Sequence, residues 1–242
     1  MAACRDKVNE PGAALYGNFI NYYTFNPPEK RLELIPATLL QDFGLGDGQQ
    51  TTLILDVGCN SGELSIAFYK HLVQNTESGS DKIFLLGFDL DQTLIQRALE
   101  LNPLPASISF IPLDVTEDTE QLQDYLRLHG CSRFHLCLCL AVTMWVHLNH
   151  GDAGLLRFIS HLASISQYLL LEAQPWKCYR SAARRLRKLG RSDFDHFKTL
   201  KIRGDIAKEV TRHLETDCGM DLIRNFGSTA WERQLLMFKR QT

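Results

Sequence analysis

The stretch Leu53-Ile-Leu-Asp-Val-Gly-Cys-Asn-Ser-Gly-Glu-Leu64 decides the fold. Its first residues are almost wholly apolar, as in a strand that is buried on both faces of a parallel sheet. Gly58 and Gly62 follow at once, and apolar residues then recur at helical spacing from Leu64 to Leu72. A strand, a glycine loop and a helix in this order form a ligand crevice at the carboxyl end of the strand, because glycine lets the backbone approach a ligand closely. The stretch therefore predicts a cofactor site.

Two common phosphate-binding loops do not fit this stretch. A P-loop needs a Lys after its second glycine, and none follows Gly62. The dinucleotide fingerprint needs Gly-x-Gly-x-x-Gly, whereas Gly58 and Gly62 stand four residues apart. What remains resembles the first motif of class I S-adenosylmethionine-dependent methyltransferases, a resemblance that implies a loop passing under an amino acid and a ribose. An ordinary tight strand-to-helix turn is the alternative interpretation.

Further apolar runs alternate with helical patterns along the chain. Four of them predict strands, at 83–89, 108–114, 134–142 and 168–173. The segments 220–225 and 234–239 resemble the final two strands of such a sheet, of which the last is antiparallel. The prediction is an α/β protein with the class I, Rossmann-like methyltransferase fold, whose doubly wound sheet is mostly parallel with an antiparallel last strand.

The N-terminal region differs from the rest in composition. We expect residues 1–12 to be a disordered tail and 13–242 to form one domain. The aromatic-rich segment from Tyr16 to Phe25 precedes a helical pattern that is broken near Pro36, which predicts an aromatic and helical lid over 13–43. An N-terminal flap packed on the core is the alternative.

Composition narrows the class of protein. The 242 residues are 45% hydrophobic, which fits one globular α/β domain. No apolar run approaches the ~20 residues that a membrane span needs, so we expect no membrane partner. Seven cysteines without a Cys-x-x-Cys pair favour a reducing, cytoplasmic location.

The charge is distributed unevenly. The net charge is −2, but the segment 177–203 carries ten Lys or Arg against two Asp, so the segment is at +8 and the remainder is at −10. An acidic body with one basic segment suggests a polyanionic partner at a defined place. A solvated helix face is the alternative.

Acidic residues close the second and third predicted strands. Asp89 directly follows an apolar run, where a carboxylate is placed to accept both hydroxyls of a ribose, and we prefer it to Asp91 for that reason. Asp91 instead can cap the next helix. In this architecture Asp114 would face an adenine amino group, with Val115 against the ring.

The segment after the fourth strand holds two histidines. His147 and His150 are three residues apart, but no third ligand stands at a suitable spacing, so we expect no metal. Trp145 is either a core residue or a stacking platform. No Ser/His/Asp or Cys/His order is present that would favour nucleophilic catalysis.

Five motifs in order together resemble the bicoid-interacting-protein-type RNA 5′-phosphate methyltransferases. They are Gly17-Asn-Phe with Tyr22-Tyr23, Arg31-Leu32, the glycine loop, Thr143-x-Trp-Val-His-Leu-Asn149 and Glu172-x-Gln-Pro-Trp176. The basic run after Trp176 and the segment Asp193-Phe-Asp-His-Phe197 resemble the short cytoplasmic branch, which acts on histidine tRNA and precursor microRNA. The resemblance implies an S-adenosylmethionine-dependent O-methyltransferase whose partner is RNA with a 5′-monophosphate.

The resemblance also implies site residues, in agreement with the strand-end acids. Together with the glycine loop, it gives these predicted cofactor contacts: Arg31, Asp56, Gly58, Asn60, Asp89, Leu90, Asp114, Val115 and Leu140. The predicted catalytic residues, around the acceptor phosphate, are Tyr22, His147 and Gln174. The predicted RNA contacts are Trp176 and, within the basic segment 177–203, Lys177, Arg180, Arg184, Arg185, Arg187 and Lys188.

Two positions bear on which member of the family the chain is similar to. Ala173 departs from the Glu-Pro-Gln-Pro-Trp form of the family, a change that removes no polar group. Asn26 stands where triphosphate-capping relatives have Arg, which favours a monophosphate acceptor. The alternatives are a methyltransferase of the same fold that caps an RNA 5′-triphosphate or acts on a protein or small molecule, and an inactive RNA-binding module. We expect a monomer.

Overall fold

A seven-stranded sheet between two layers of helices is the centre of the protein, in a computed structural model that describes residues 15–74, 80–116 and 119–241. The strands are β1 (Thr52–Val57), β2 (Ile83–Asp89), β3 (Ile108–Pro112), β4 (Phe134–Leu140), β5 (Ser166–Glu172), β6 (Met220–Ser228) and β7 (Gln234–Arg240). The helices are α1 (Tyr22–Phe25), α2 (Glu29–Leu32), α3 (Leu39–Asp42), α4 (Glu63–Val73), α5 (Gln92–Leu101), α6 (Glu120–Leu128), α7 (Thr143–Ile165), α8 (Trp176–Lys188) and α9 (Ile206–Asp217). The predicted tail 1–12 lies outside the described residues.

The order of the strands confirms the predicted fold class. The sheet runs β3-β2-β1-β4-β5-β7-β6. The neighbouring pairs among β1 to β5 are parallel, and β7 pairs antiparallel with both β5 and β6. The chain proceeds outward from β1 to β3 and then returns to β4 on the other side of β1. The carboxyl ends of β1 and β4 therefore flank the switch point, where doubly wound sheets bind ligands.

The apolar strand residues divide between two cores, one on each face of the sheet. Leu53 and Leu55 of β1 pack in the core that contains Phe158 of α7, whereas Ile54 packs in the core that contains Phe68 of α4. Alternate side chains of a strand point to opposite faces, so a strand with a helix layer on each side must be apolar at every position. This explains the unbroken apolar run of β1.

Two helical stretches were not predicted, α9 and the part of α7 before Gly151. α9 was not predicted, although Ile206, Val210 and Leu214 recur at a spacing of four residues and are buried, and Asp205 caps the helix through Lys208 N–H. The apolar spacing from Leu155 to Leu162 predicts a helix that starts at Asp152, and the structure agrees: Gly151, with a φ of 69° and a ψ of −174°, separates this helix from a shorter helical stretch that begins at Thr143 and was not predicted. The Asp152 carboxylate binds the Lys201 and Ile202 amides instead of capping the helix.

The described N-terminal residues pack across the carboxyl ends of the strands. Asn18 Nδ2 donates to Asp91 Oδ2 at 2.7 Å, and the Tyr23 hydroxyl donates to the Cys59 carbonyl at 3.1 Å. The pattern broken near Pro36 is confirmed, because α2 ends before it and α3 begins after it. In the part of the chain that the structure describes, none of the helices has the length and apolar character that crossing a membrane requires.

Candidate active site

A cavity opens at the carboxyl ends of β1, β2 and β4, and we call it the strand-end cavity. Its walls come from the glycine loop, the ends of these strands and the N-terminal segment around Tyr22. All the residues predicted to contact the cofactor line it: Arg31, Asp56, Gly58, Asn60, Asp89, Leu90, Asp114, Val115 and Leu140. The fold thus gathers into one cavity the groups that the sequence placed on separate strand ends.

The glycine loop closes one wall of the strand-end cavity. Gly58 has a φ of 69°, and a Cβ there would lie 2.7 Å from Val142 Cγ2, so a larger residue would displace Val142. Asn60 is also left-handed, with a φ of 51°, which Asn tolerates better than most residues. Its Nδ2 donates to the Phe19 carbonyl at 3.1 Å, and its backbone N–H donates to Asp89 Oδ2 at 3.0 Å. The loop therefore connects the N-terminal segment to the end of β2.

Two carboxylates lie at the end of β2: Asp89 lines the strand-end cavity, whereas Asp91 caps the next helix. Asp89 is held by the amides of Asn60 and Asp91, each at 3.0 Å, and burial raises its pKa although these two N–H donors oppose the shift. Each carboxylate oxygen can accept a further hydrogen bond. Asp91 is engaged elsewhere, because it caps α5 through Thr93 N–H at 2.9 Å and accepts from Asn18. Asp89 thus lines the cavity and Asp91 does not, and the contact of Asp89 with a ribose stays a prediction.

Asp56 is a buried carboxyl group on the wall of the strand-end cavity. Burial raises its pKa to about 7, opposed by the Ser65 hydroxyl, which donates to Oδ2 at 2.5 Å, and by the charge of Arg31. At neutral pH the group is therefore divided between its neutral and charged forms. A cationic ligand beside it would favour the carboxylate, so binding of such a ligand would release a proton.

We expect the affinity for S-adenosylmethionine, which carries positive charge, to rise about tenfold between about pH 6 and about pH 8. The sign follows from the raised pKa: the neutral carboxyl predominates below about pH 7 and the carboxylate above it. Calorimetric titrations at several pH values test this, with Asp56→Asn as the comparison. The variant should bind S-adenosylmethionine more weakly than the wild type at high pH, and its affinity should no longer rise between about pH 6 and about pH 8. A rise equal to that of the wild type would contradict a role of Asp56 in binding the cationic ligand.

Glu172, at the end of β5, lies at the centre of a buried ionic network. It is fully buried and accepts from Arg31 Nε at 2.5 Å, from Arg233 Nη1 at 2.9 Å and from Trp231 Nε1 at 3.1 Å. Arg31 Nη2 also donates to the Tyr22 hydroxyl at 2.8 Å. Within this network two buried donors keep no partner among the described residues, Arg31 Nη1 and Arg233 Nε. Two guanidinium groups on one carboxylate leave an excess positive charge here.

A second cavity, the basic cavity, adjoins the first. The two cavities share Tyr22, Ala141 and Trp145 in their walls. The basic cavity also contains cationic and aromatic groups from the N-terminal segment, α8 and the turn between β6 and β7: Phe19, Phe25, Lys177, Arg185, Trp231 and Arg233. Phe25 is 78% exposed. This arrangement suits an anionic ligand that also carries an aromatic ring.

The helix α8 presents its basic residues in two directions. Lys177, Ser181 and Arg185 recur every four residues and line the basic cavity. The other predicted RNA contacts on α8 are solvent-exposed outside the cavity: Arg180, Arg184, Arg187 and Lys188. Trp176 lines neither cavity but stacks on Tyr179 and Phe197, with ring centroids 4.9 and 5.6 Å away.

The three predicted catalytic residues occupy different environments. Tyr22 lies where the two cavities meet, and Gln174 lines the basic cavity while donating to the Ala141 carbonyl at 2.5 Å. His147 lines neither cavity, because it is buried between the Tyr179 hydroxyl at 3.0 Å and Asp152 at 2.8 Å. Burial lowers its pKa, although Asp152 opposes the shift. A contact of His147 with substrate stays a prediction, and the observed bond to Tyr179 holds α8 against α7.

Comparison with known proteins gives the family. Residues 134–240 match the family described as Bicoid-interacting protein 3 (Bin3). A Danio rerio protein named "Pre-miRNA 5'-monophosphate methyltransferase" is 64% identical to this chain, in an alignment that covers 98% of this chain and 96% of the Danio rerio protein. This chain belongs to the Bin3 family. A Homo sapiens member named "RNA 5'-monophosphate methyltransferase" is 47% identical to this chain, in an alignment that covers 96% of this chain and 83% of the Homo sapiens protein.

A solved structure supports the fold of this Bin3-family chain. Magnesium protoporphyrin IX methyltransferase (ChlM) from Synechocystis PCC 6803, with bound SAM, superposes with a TM-score of 0.55. The superposition covers 94% of this chain and 88% of the ChlM chain, with 18% sequence identity, so the likeness shows the fold alone.

Sequence patterns missed part of the site of this Bin3-family chain. Trp231 and Arg233 were not predicted to take part, because they stand in a turn without a motif of their own, and Glu172 was noted only as part of a motif. The available signal was an aromatic residue and a cation beside a predicted strand. Among the described residues, no group of three His, Cys, Asp or Glu is arranged to hold a metal ion.

Proposed function

We propose that this chain is an S-adenosylmethionine-dependent methyltransferase that methylates an oxygen of an RNA 5′-monophosphate. One observation supports this most directly: the strand-end cavity and the basic cavity share a wall formed by Tyr22, Ala141 and Trp145. A cofactor in the first would therefore lie next to an anionic acceptor in the second. The names of the Danio rerio and Homo sapiens relatives agree with this acceptor.

The residues of the strand-end cavity fit S-adenosylmethionine. Asp89 offers acceptor oxygens for two ribose hydroxyls, and the unpartnered Arg31 Nη1 offers a donor for a carboxylate. Asp56 offers a negative charge for a cationic amino group. When bound, this cofactor supplies a methyl group that is already electrophilic, so the protein has to orient the acceptor and exclude water.

The basic cavity supplies orientation without a general base. A 5′-phosphate is anionic at neutral pH, so its oxygen needs no proton removed. Arg233 and Lys177 can bind oxygens that do not react, and such charge-assisted bonds fix orientation. The Tyr22 hydroxyl accepts from Arg31, which leaves its own proton free to donate toward the phosphate. Phe25, exposed on the rim, can stack the terminal base.

Methyl transfer to matched RNAs tests the proposal. One hairpin is prepared with a 5′-monophosphate, a 5′-triphosphate or a 5′-hydroxyl and is incubated with the protein and radiolabelled S-adenosylmethionine. We expect label on the monophosphate form and little on the other two. Equal labelling of all three would move the methyl to a base or ribose and would contradict the proposal. Transfer mainly to the triphosphate would favour capping.

We also propose the finer assignments that the family resemblance implies. The acceptors would be histidine tRNA and precursor microRNA, bound to a monomer in the cytoplasm. The six cysteines among the described residues are free, which agrees with a reducing compartment.

The exposed row of α8 should carry part of the RNA affinity. We expect Arg180→Ala with Arg184→Ala to weaken hairpin binding and to reduce the salt slope of log Kd by about 1.5. The reason is that fewer counterions are released from the RNA when two phosphate contacts are lost. The affinity for S-adenosylmethionine should not change. Fluorescence anisotropy over a range of salt concentrations measures the slope. Arg97→Ala with Arg212→Ala, both exposed on other helices, is the matched control. Equal slopes for the two double variants would show that the row on α8 is only solvated.

A further inference from the structure

An acidic side chain stands on the rim of a cavity whose other charged groups are cationic. Of the described residues that line the basic cavity, Glu232 alone is acidic, and it stands among Lys177, Arg185 and Arg233. Its side chain is 77% exposed, and its carboxylate pairs with the Lys177 ammonium. A carboxylate repels the anion that this cavity is suited to bind. The position of Glu232 therefore suggests that it affects which anions the basic cavity binds.

The backbone at Glu232 is also unfavourable for its residue type. Its φ is 62°, in the left-handed region that glycine or asparagine adopts more easily. The turn fixes this conformation, because Glu232 N–H donates to the Thr229 carbonyl at 2.9 Å and Thr229 N–H donates to the Arg233 carbonyl at 2.9 Å. Glycine would fit this position with less strain. Strained residues cluster at functional sites, and this one borders the proposed acceptor site.

We propose that Glu232 selects against RNA ends with more than one 5′-phosphate, an inference that rests on the proposed function. A monophosphate brings a single phosphate to Arg233 and the shared wall. In a triphosphate two additional phosphate groups separate the terminal phosphate from the ribose, so negative charge is spread toward the rim. There the Glu232 carboxylate repels it.

Lys177 strengthens this selection. Its ammonium is paired with Glu232 at the surface, so it is partly neutralised and is a weaker partner for additional phosphate groups. Arg233 is neutralised only in part, since it shares the one carboxylate of Glu172 with Arg31, which lines the neighbouring strand-end cavity. The Arg233 guanidinium, which is 13% exposed, thus keeps more of its positive charge than the Lys177 ammonium, which is 50% exposed beside Glu232. A short anion suits this distribution better than a long one.

The test compares kcat/KM for hairpins with a 5′-monophosphate and a 5′-triphosphate. We expect Glu232→Gln to lower the preference for the monophosphate by about tenfold at low salt, mainly by a gain on the triphosphate, and by less at high salt. Glu232→Asp, which retains the charge, should keep most of the preference. Glu209→Gln removes an exposed carboxylate on α9 and serves as the control, with wild-type preference expected.

The outcomes separate this inference from the proposed function. If the wild-type protein labels neither RNA, the proposed function fails. If the wild-type protein labels the monophosphate and Glu232→Gln leaves the preference unchanged, the selection by Glu232 is wrong and the proposed function stands. Glu232→Gly removes both the charge and the strain, so it should match Glu232→Gln. Loss of the preference in Glu232→Gly alone would assign the effect to the geometry of the turn and would overturn the inference.

Discussion

Replacing Asp89 by Ala is expected to weaken S-adenosylmethionine binding by at least about a hundredfold, the equivalent of two charge-assisted hydrogen bonds of about 1.5 kcal/mol each. The buried carboxylate lines the strand-end cavity and retains acceptor capacity beyond its bonds to the Asn60 and Asp91 amides. The variant also loses these two bonds, which hold the glycine loop to β2. Isothermal titration calorimetry measures the change in Kd.

Asp91→Ala is the matched control for this experiment. Asp91 stands two residues away and caps α5, so its loss should cost about 1 kcal/mol of stability and leave the cofactor affinity within about threefold of wild type. If both variants bind S-adenosylmethionine with nearly wild-type affinity, Asp89 does not hold the ribose. If Asp91→Ala has the larger effect, the choice between these two acids is wrong.

Replacing Glu172 by Ala is expected to lower the free energy of unfolding by about 3–5 kcal/mol. The substitution leaves the guanidinium groups of Arg31 and Arg233 in a buried site without their counter-ion, and Trp231 loses its acceptor. Desolvated charges without a partner are among the most unfavourable groups in a folded protein. Denaturant unfolding, followed by circular dichroism, measures the change.

Glu33→Ala is the control for the loss of a carboxylate. Glu33 forms a solvent-exposed pair with Lys30, so its loss should cost less than about 1 kcal/mol. A similarly small cost for Glu172→Ala would mean that the buried network adds little to stability. It would also remove the reason for regarding Arg31 and Arg233 as fixed in place between the two cavities.

The sequence was sufficient for the parts of the site that depend on local order. The glycine loop follows β1 directly, and Asp89 ends β2, so their position at the crevice follows from the strand pattern and the fold class. Asp91 could be assigned to a helix cap because capping is a local interaction. The same reasoning gave the basic face of α8, whose residues recur at helical spacing.

The parts that sequence patterns missed depend on distant contacts. Arg31 and Glu172 are 141 residues apart in the chain, and Arg233 and Glu172 are 61 apart, so no spacing rule connects them. His147 belonged to a family motif, but only the packing of α7 against α8 shows that Tyr179 and Asp152 bind both of its ring nitrogens. The role of Glu232 likewise depends on a turn that brings it to Lys177.

The position of the transferred methyl group tests the central claim most directly. A hairpin RNA with a 5′-monophosphate is methylated with radiolabelled S-adenosylmethionine and digested to nucleotides, which are then separated with and without phosphatase treatment. The account predicts label in the 5′-terminal nucleotide, attached to its phosphate and absent from every nucleoside. Label that remains on a nucleoside after the phosphate is removed would place the methyl on a base or ribose and would contradict the account.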